Sequence, residues 1–203
     1  MRVKVIAASA IGVMSGMIIA LMLIPGAIDY LQPRTNTWTT GKAAIGGQFE
    51  MTDHRGRTVT EKTFQGDYLL VFFGFTYCPD ICPAALQNVS AMLERLGAKA
   101  EDITPLFVSV DPERDTPEVL KVYLSHFDSR IIGLTGTSEQ VEEIVKTYRA
   151  YARKVKTGSG PDDYTMDHSA FIYFMDKKGE FITHFTPVTS FEQMAERIVK
   201  EML

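Results

Sequence analysis

The chain contains only two cysteines, Cys78 and Cys82, four positions apart in FFGFTYCPDICPAALQN with a proline after each. Such a pair admits three chemistries: a structural disulfide, a thiol redox couple, or the sulfur half of a metal site. A disulfide here would close a very short ring, and short loops gain least from cross-linking in the chain-entropy picture. A C-x-x-C pair at a strand-to-helix junction signals a redox centre, whereas C-x-x-x-C adds a residue and opens the loop. Pro83 disfavours helical backbone at Cys82 and itself suits the first helical position, which puts both thiols in a loop with Cys82 beside a helix N-terminus. The free amides and positive dipole end there favour the thiolate, the form that attacks disulfides and binds metals. Two thiolates make two legs of a low-coordination site for a soft ion, and a third ligand is then expected from outside the loop.

Four histidines could supply it. His54 sits in a polar hairpin turn, His126 at the end of an amphipathic helix and His184 on a strand, and all three read as solvated side chains. His168 differs, because in YTMDHSAFIYF it stands where a Gly- and Asp-rich loop enters an apolar strand, a place where a scaffold holds a ligand firmly. Met166 and Met175 are possible weak sulfur ligands, although filling gaps is the commoner use of methionine. Asp111 has two readings, an outer or docking residue on the cysteine edge of the sheet, or a residue shaping the turn before Pro112. Asp80, between the cysteines, carries the same pair of readings.

The elements that must position these groups follow from periodicity. A hairpin is expected over Phe49 to Thr52 and Thr58 to Thr60, turned at Gly56. YLLVFFGF is a continuous apolar run, as in a strand buried on both faces, and leads straight into the cysteines. Leu86, Val89, Leu93 and Leu96 then recur at helical spacing up to Gly97. A second buried strand at ITPLFVSV follows, then a helix opened by Thr116 and Pro117 and running to about Phe127, a short strand at RIIGL, and a helix from Ser138 to about Tyr151 capped by Ser138. ARKVKT is a further strand, GSGPDDYTMD a turn-rich loop, SAFIYFMDKKGEFITHF a hairpin, and a helix from Ser190 to Met202 closes the chain. The alternation of strand and helix implies an α/β sheet.

The first residues belong to another regime. Val5 to Ile24 is a run of 20 uncharged residues, long enough for a membrane-spanning helix. It exceeds the h-region of a signal peptide, the competing reading, and Pro25 would fall at the −3 position for cleavage after Ala27. Arg2 and Lys4 before it and Asp29 after it place the N-terminus in the cytoplasm and the remainder outside. The expected division is an anchor over 1–28, a linker over 29–44 and a folded domain over 45–203. Ala8, Gly12, Gly16 and Ala20 line one helix face with small side chains, which allows a weak homodimer through Gly12 and Gly16. The formal net charge of -4 offers no broad basic field, so nucleic acid is not an expected partner.

In this order and after such an anchor, GFTYCPDICPAALQN, FVSVDPERDTPEVLKVY and DHSAFIYFMDKKG resemble the Sco/SenC family of copper-binding assembly proteins for cytochrome c oxidase. The likeness covers residues 45 to 203. It implies a thioredoxin-like fold, here with an N-terminal β-hairpin extension, and copper ligands at Cys78, Cys82 and His168. Two thiolates and an imidazole suit Cu(I) and also hold Cu(II) with an added weak ligand, whereas a closed zinc site wants four ligands. The function implied is a membrane-anchored copper chaperone on the periplasmic side of a bacterial inner membrane. It would deliver copper to the CuA centre of cytochrome c oxidase subunit II, with other copper donors or thiol reductants as further partners. The alternative is a thiol-disulfide oxidoreductase that uses Cys78 and Cys82 to reduce the cysteines of the CuA site or another client. A peroxiredoxin-like peroxidase shares the fold expectation but lacks a recognisable general base or arginine arrangement.

Overall fold

The computed structural model describes residues 44–202. The expected anchor, most of the linker and the Gly12 and Gly16 face lie outside the described residues. Among the described residues no helix is long and apolar enough to cross a membrane.

The hairpin strands β1 (Glu50–Asp53) and β2 (Thr58–Thr60) are followed by a 3-10 turn and β3 (Tyr68–Gly74). Helix α1 (Ile81–Leu96) leads through a second 3-10 turn to β4 (Ile103–Ser109), α2 (Pro117–Leu124), β5 (Ile132–Thr135) and α3 (Ser138–Thr147). Strands β6 (Ala152–Lys156), β7 (Tyr164–His168), β8 (Ile172–Met175) and β9 (Phe181–Phe185) precede the closing helix α4 (Phe191–Glu201). Seven strands form one sheet in the order β2-β1-β5-β4-β3-β8-β9, and β6 pairs with β7 in a separate ribbon. Strands β5, β4 and β3 run parallel, with β8 antiparallel to β3. This is the mixed α/β, thioredoxin-like arrangement, and the N-terminal hairpin extends the main sheet by pairing β1 with β5.

The central strands read as continuous apolar runs because both faces are covered. Leu69 to Gly74 on β3 and Pro105 to Ser109 on β4 are buried throughout. Helix α1 turns Leu86, Val89, Leu93 and Leu96 inward and lies against α4, which buries Met194, Ala195 and Ile198. Gly97, at φ 56°, ends α1 in a conformation that costs glycine little.

Three local expectations are corrected. Helix α3 is capped by Thr137, whose hydroxyl accepts from Gln140 N while Gln140 Oε1 accepts from Thr137 N, and it stops at Thr147. Serine at 138 is a plausible cap by type, but the reciprocal pair with Gln140 satisfies two helix-end donors at once. The segment Tyr164 to His168 is a strand, not loop, because it pairs with β6 from Lys156↔Tyr164 to Ala152↔His168. His54 is not a solvated side chain: its Nδ1 accepts from Gly133 N at 2.9 Å while Gly133 O accepts from His54 N at 2.8 Å, tying the hairpin turn to β5.

Burial and the charge of Arg55 lower the His54 pKa below its usual 6.5. The bond requires neutral imidazole, so its stabilisation is complete above pH 6.5 and is lost as pH falls through the lowered folded value. In His54→Asn the side-chain carbonyl replaces the acceptor without titrating. Urea midpoints taken from about pH 7.5 to about pH 5 should fall less in that variant than in wild type, by about 1 kcal/mol in unfolding free energy.

Candidate metal centre

Strand β3 delivers Gly74 to the sheet edge, and the chain turns there, with Cys78 N donating to Phe75 O at 3.2 Å. Helix α1 begins at Ile81, so Cys82 occupies its second position and Pro83 its third. The prolines therefore leave only Cys78 in the loop, contrary to the sequence expectation. Proline is tolerated this early because first-turn amides have no intrahelical acceptor to lose. Asp80 is the exposed N-cap residue, and its side chain makes no capping hydrogen bond. The amide of Cys82 donates instead to Cys78 Sγ at 3.4 Å, so the helix terminus serves the sulfur of Cys78 rather than that of Cys82.

Cys82 is fully buried, and its thiol is pushed well above the usual thiol range, by burial first, with Cys78 and the buried Asp115 adding to it. A helix terminus is worth about 0.3–1 kcal/mol. That is under one pKa unit of about 1.36 kcal/mol, while burial moves a group by up to about 3–5 units. Desolvation therefore outweighs the helix terminus at Cys82, and the expected preference for a thiolate there is corrected: burial favours the thiol. Gly74 makes room for this sulfur: a Cβ at position 74 would stand 2.7 Å from Cys82 Sγ and 2.7 Å from Phe107 Cε2.

His168 ends β7 and reaches back to the thiols, with Nε2 3.6 Å from Cys82 Sγ. Its Nδ1 lies 3.0 Å from Ser169 O. A carbonyl only accepts, so Nδ1 is the donor in this contact, and the neutral ring with that tautomer has its lone pair on Nε2. Ser169 is anchored in turn, its N donating to Tyr151 O and its Oγ accepting from Tyr151 N, each at 2.9 Å. The imidazole edge rests on Phe75 and Phe72, with ring centroids 5.7 and 6.3 Å away. Cys78, Cys82 and His168 thus bring three ligand atoms within 4.8 Å of one another, and among the described residues this is the metal-capable group of histidine, cysteine and carboxylate side chains. His126 and His184 are exposed, and Met175 is packed in the core as filler.

Asp111 does not turn toward the sulfurs. It is buried, accepts from Tyr164 Oη at 2.8 Å and pairs with Arg114 Nε. Arg114, unnoticed in the sequence, lies 3.8 Å over the Tyr164 ring, 4.8 Å over Tyr77 and 5.9 Å over Phe75, and Nη1 donates to Tyr164 O. One guanidinium so links the cysteine turn to the strand that carries His168. Asp115 was missed as well: fully buried, it accepts from Thr76 N, Thr76 Oγ1 and Ser109 Oγ, and burial raises its carboxyl despite those donors. The sequence signal was present in SVDPERD, whose charges follow directly on a buried strand.

A family model for SCO1/SenC matches residues 37–203. The chain belongs to the SCO1/SenC family. Family relatives include a SCO2-like protein of Rickettsia prowazekii, 38% identical over 160 residues that make up 79% of this chain and 78% of the relative. The mitochondrial protein SCO2 of Saccharomyces cerevisiae is 45% identical over 143 residues, 70% of this chain and 48% of the relative, so the chain spans about half the length of that relative. The copper-bound structure of ScoI from Bradyrhizobium japonicum is 43% identical, with a TM-score of 0.71 over 77% of this chain and 99% of that one.

Two outcomes test this geometry. Arg114→Met keeps the aliphatic stem but strands the Asp111 carboxylate, and should lower stability by about 3 kcal/mol in urea denaturation. Gly74→Ala forces the Cys82 sulfur or Phe107 to move and should cost about 1–3 kcal/mol by the same measurement. Chelator competition should show weaker Cu(I) binding for both.

Proposed function

We propose that this chain is a membrane-anchored copper chaperone, with anchor 1–28, linker 29–44 and domain 45–203, that holds copper on Cys78, Cys82 and His168. Its proposed acceptor is the CuA centre of cytochrome c oxidase subunit II, reached from the periplasmic side of the membrane. The observation that carries the reading is the approach of the Cys78 and Cys82 sulfurs and a ring nitrogen of His168, 86 positions beyond Cys82, to within 4.8 Å of one another. Family membership and the copper-bound relative support it.

The donor set fits the cargo. Soft sulfur with one imidazole suits copper in either of its two common oxidation states, and three ligands leave the site open to exchange. Binding releases the buried Cys82 proton, and the cation's charge then compensates a thiolate that burial alone disfavours. Cys78 is the more accessible sulfur, so a client's ligand enters and the cargo leaves on the Cys78 side. His168 Nε2 is held ready by the Ser169 carbonyl and needs no tautomer change on loading.

A second reading, a thiol-disulfide oxidoreductase, is favoured by the two free thiols. In it, Cys78 attacks a client disulfide and forms a mixed disulfide. Cys82 then displaces the client sulfur, leaving a Cys78–Cys82 disulfide while the client receives two electrons and two protons. His168 separates the readings, since reduction does not need it. Copper-loaded wild type should give a cupric electron paramagnetic resonance signal with thiolate character. His168→Ala should lose that signal and bind copper at least about 10-fold more weakly, yet reduce a model disulfide at the wild-type rate. Equal copper affinity in wild type and variant would sink the proposed ligand set.

A further inference from the structure

A cavity of about 350 Å³ opens at the end of the sheet opposite the cysteines. It lies where Ile131 leads into β5, whereas the cysteines follow the last residue of β3, and β3, β4 and β5 run parallel. Leu124 and Ile131 form its buried floor. His54, Arg55, Lys121 and Ser129 line it from three segments, the hairpin turn, the end of α2 and the loop before β5. Each of these four brings a hydrogen-bond donor. His54 Nδ1 accepts from Gly133 N at 2.9 Å, so the neutral ring carries its proton on Nε2, and that N–H has no acceptor among the described residues. The Arg55 guanidinium, the Lys121 ammonium and the Ser129 hydroxyl likewise have no hydrogen-bond or ion-pair partner among the described residues.

Ordinary structural roles account for only part of this arrangement. Lys121 in the last turn complements the dipole of α2. The carbonyls of Lys121 to Leu124, however, already accept from Ser125 N, Ser125 Oγ, His126 N and Phe127 N, so the ammonium is not needed to cap them. The acids nearest in sequence are matched elsewhere, Asp53 by Arg57 and Asp128 by Arg130, each at 2.6 Å. The cavity thus gathers two full positive charges and two neutral donors in a chain whose net charge is -4. Guanidinium and ammonium groups hold phosphate oxygens through short, charge-assisted hydrogen bonds. Four donors brought by three segments match a tetrahedral group with four oxygens better than a carboxylate with two. We propose that this cavity is a binding site for a phosphate group, either free or on an anionic lipid headgroup. Arg55 and Lys121 supply the charge, while His54 Nε2 and the Ser129 hydroxyl orient the group. The site involves neither copper nor thiol exchange and stands apart from both readings above.

The test follows the Gly133 amide, which reports on the His54 ring, by nuclear magnetic resonance of the full chain in a non-ionic detergent. Inorganic phosphate and glycerophosphoglycerol, the soluble headgroup of an anionic lipid, are titrated separately at constant ionic strength, with chloride as the control. A saturable shift in the millimolar range is expected from the phosphate-bearing probe and none from chloride. Arg55→Gln and Lys121→Gln should each weaken that binding about 10-fold, as the loss of one charge-assisted hydrogen bond does. Lys99→Gln, which removes an exposed cation elsewhere, should leave it unchanged. Tighter binding of the headgroup than of inorganic phosphate identifies a lipid source and the reverse a free ligand, and either upholds the site. No saturable shift with either probe overturns the proposal. Binding that survives both cavity substitutions, or that Lys99→Gln weakens equally, overturns it as well.

Discussion

The Cys82 sulfur is buried in an apolar crevice, and much of the surrounding structure follows from that placement. Gly74 leaves the space, Phe107 walls it, and His168 Nε2 stands 3.6 Å away. In such surroundings an isolated thiolate is unfavourable by more than a helix terminus can offset. Burial thus favours the protonated sulfur at Cys82. Cys78 is the counterpart, less buried and supplied with the Cys82 amide. One sulfur is sheltered and the other reachable.

The two cysteines and His168 come from two parts of the chain that local structure alone would not bring together. The cysteines ride on the junction of β3 and α1, within the main sheet; His168 ends β7, in a ribbon that pairs only with β6. Arg114 joins them, stacked on Tyr77 of the cysteine turn and on Tyr164 of β7 while paired with Asp111. A guanidinium suits this task because its planar faces stack on rings while its edge donates to carboxylate and carbonyl. Asp115 does similar work on the other flank, fixing Thr76 to Ser109.

Much of this was legible beforehand where the signal is local. The apolar runs of β3 and β4, the periodicity of α1, the Thr116-Pro117 start of α2 and the turn at Gly56 rest on short-range rules, and each element lies where the pattern puts it. Cys78, Cys82 and His168, which the fold brings within 4.8 Å of one another, could be named together from residue type, spacing and resemblance. Misreadings occurred where a distant partner decides. Tyr164 to His168 looks like loop by composition and becomes strand only because β6 supplies its hydrogen bonds. His54 looks solvated until Gly133, 79 residues away, donates to it.

The sequence by itself determined that two thiols lie at a strand-to-helix junction, that one histidine is set apart from the others, and that an α/β sheet carries them. Residue type and short-range periodicity are enough for those conclusions. Only the tertiary structure decided which sulfur is sheltered and which is served by the helix end, that His168 turns Nε2 toward Cys82, and that Arg114 and Asp115 brace the cysteine turn. Those outcomes depend on desolvation and on contacts between residues tens of positions apart, which become defined only when the sheet and the β6–β7 ribbon are assembled.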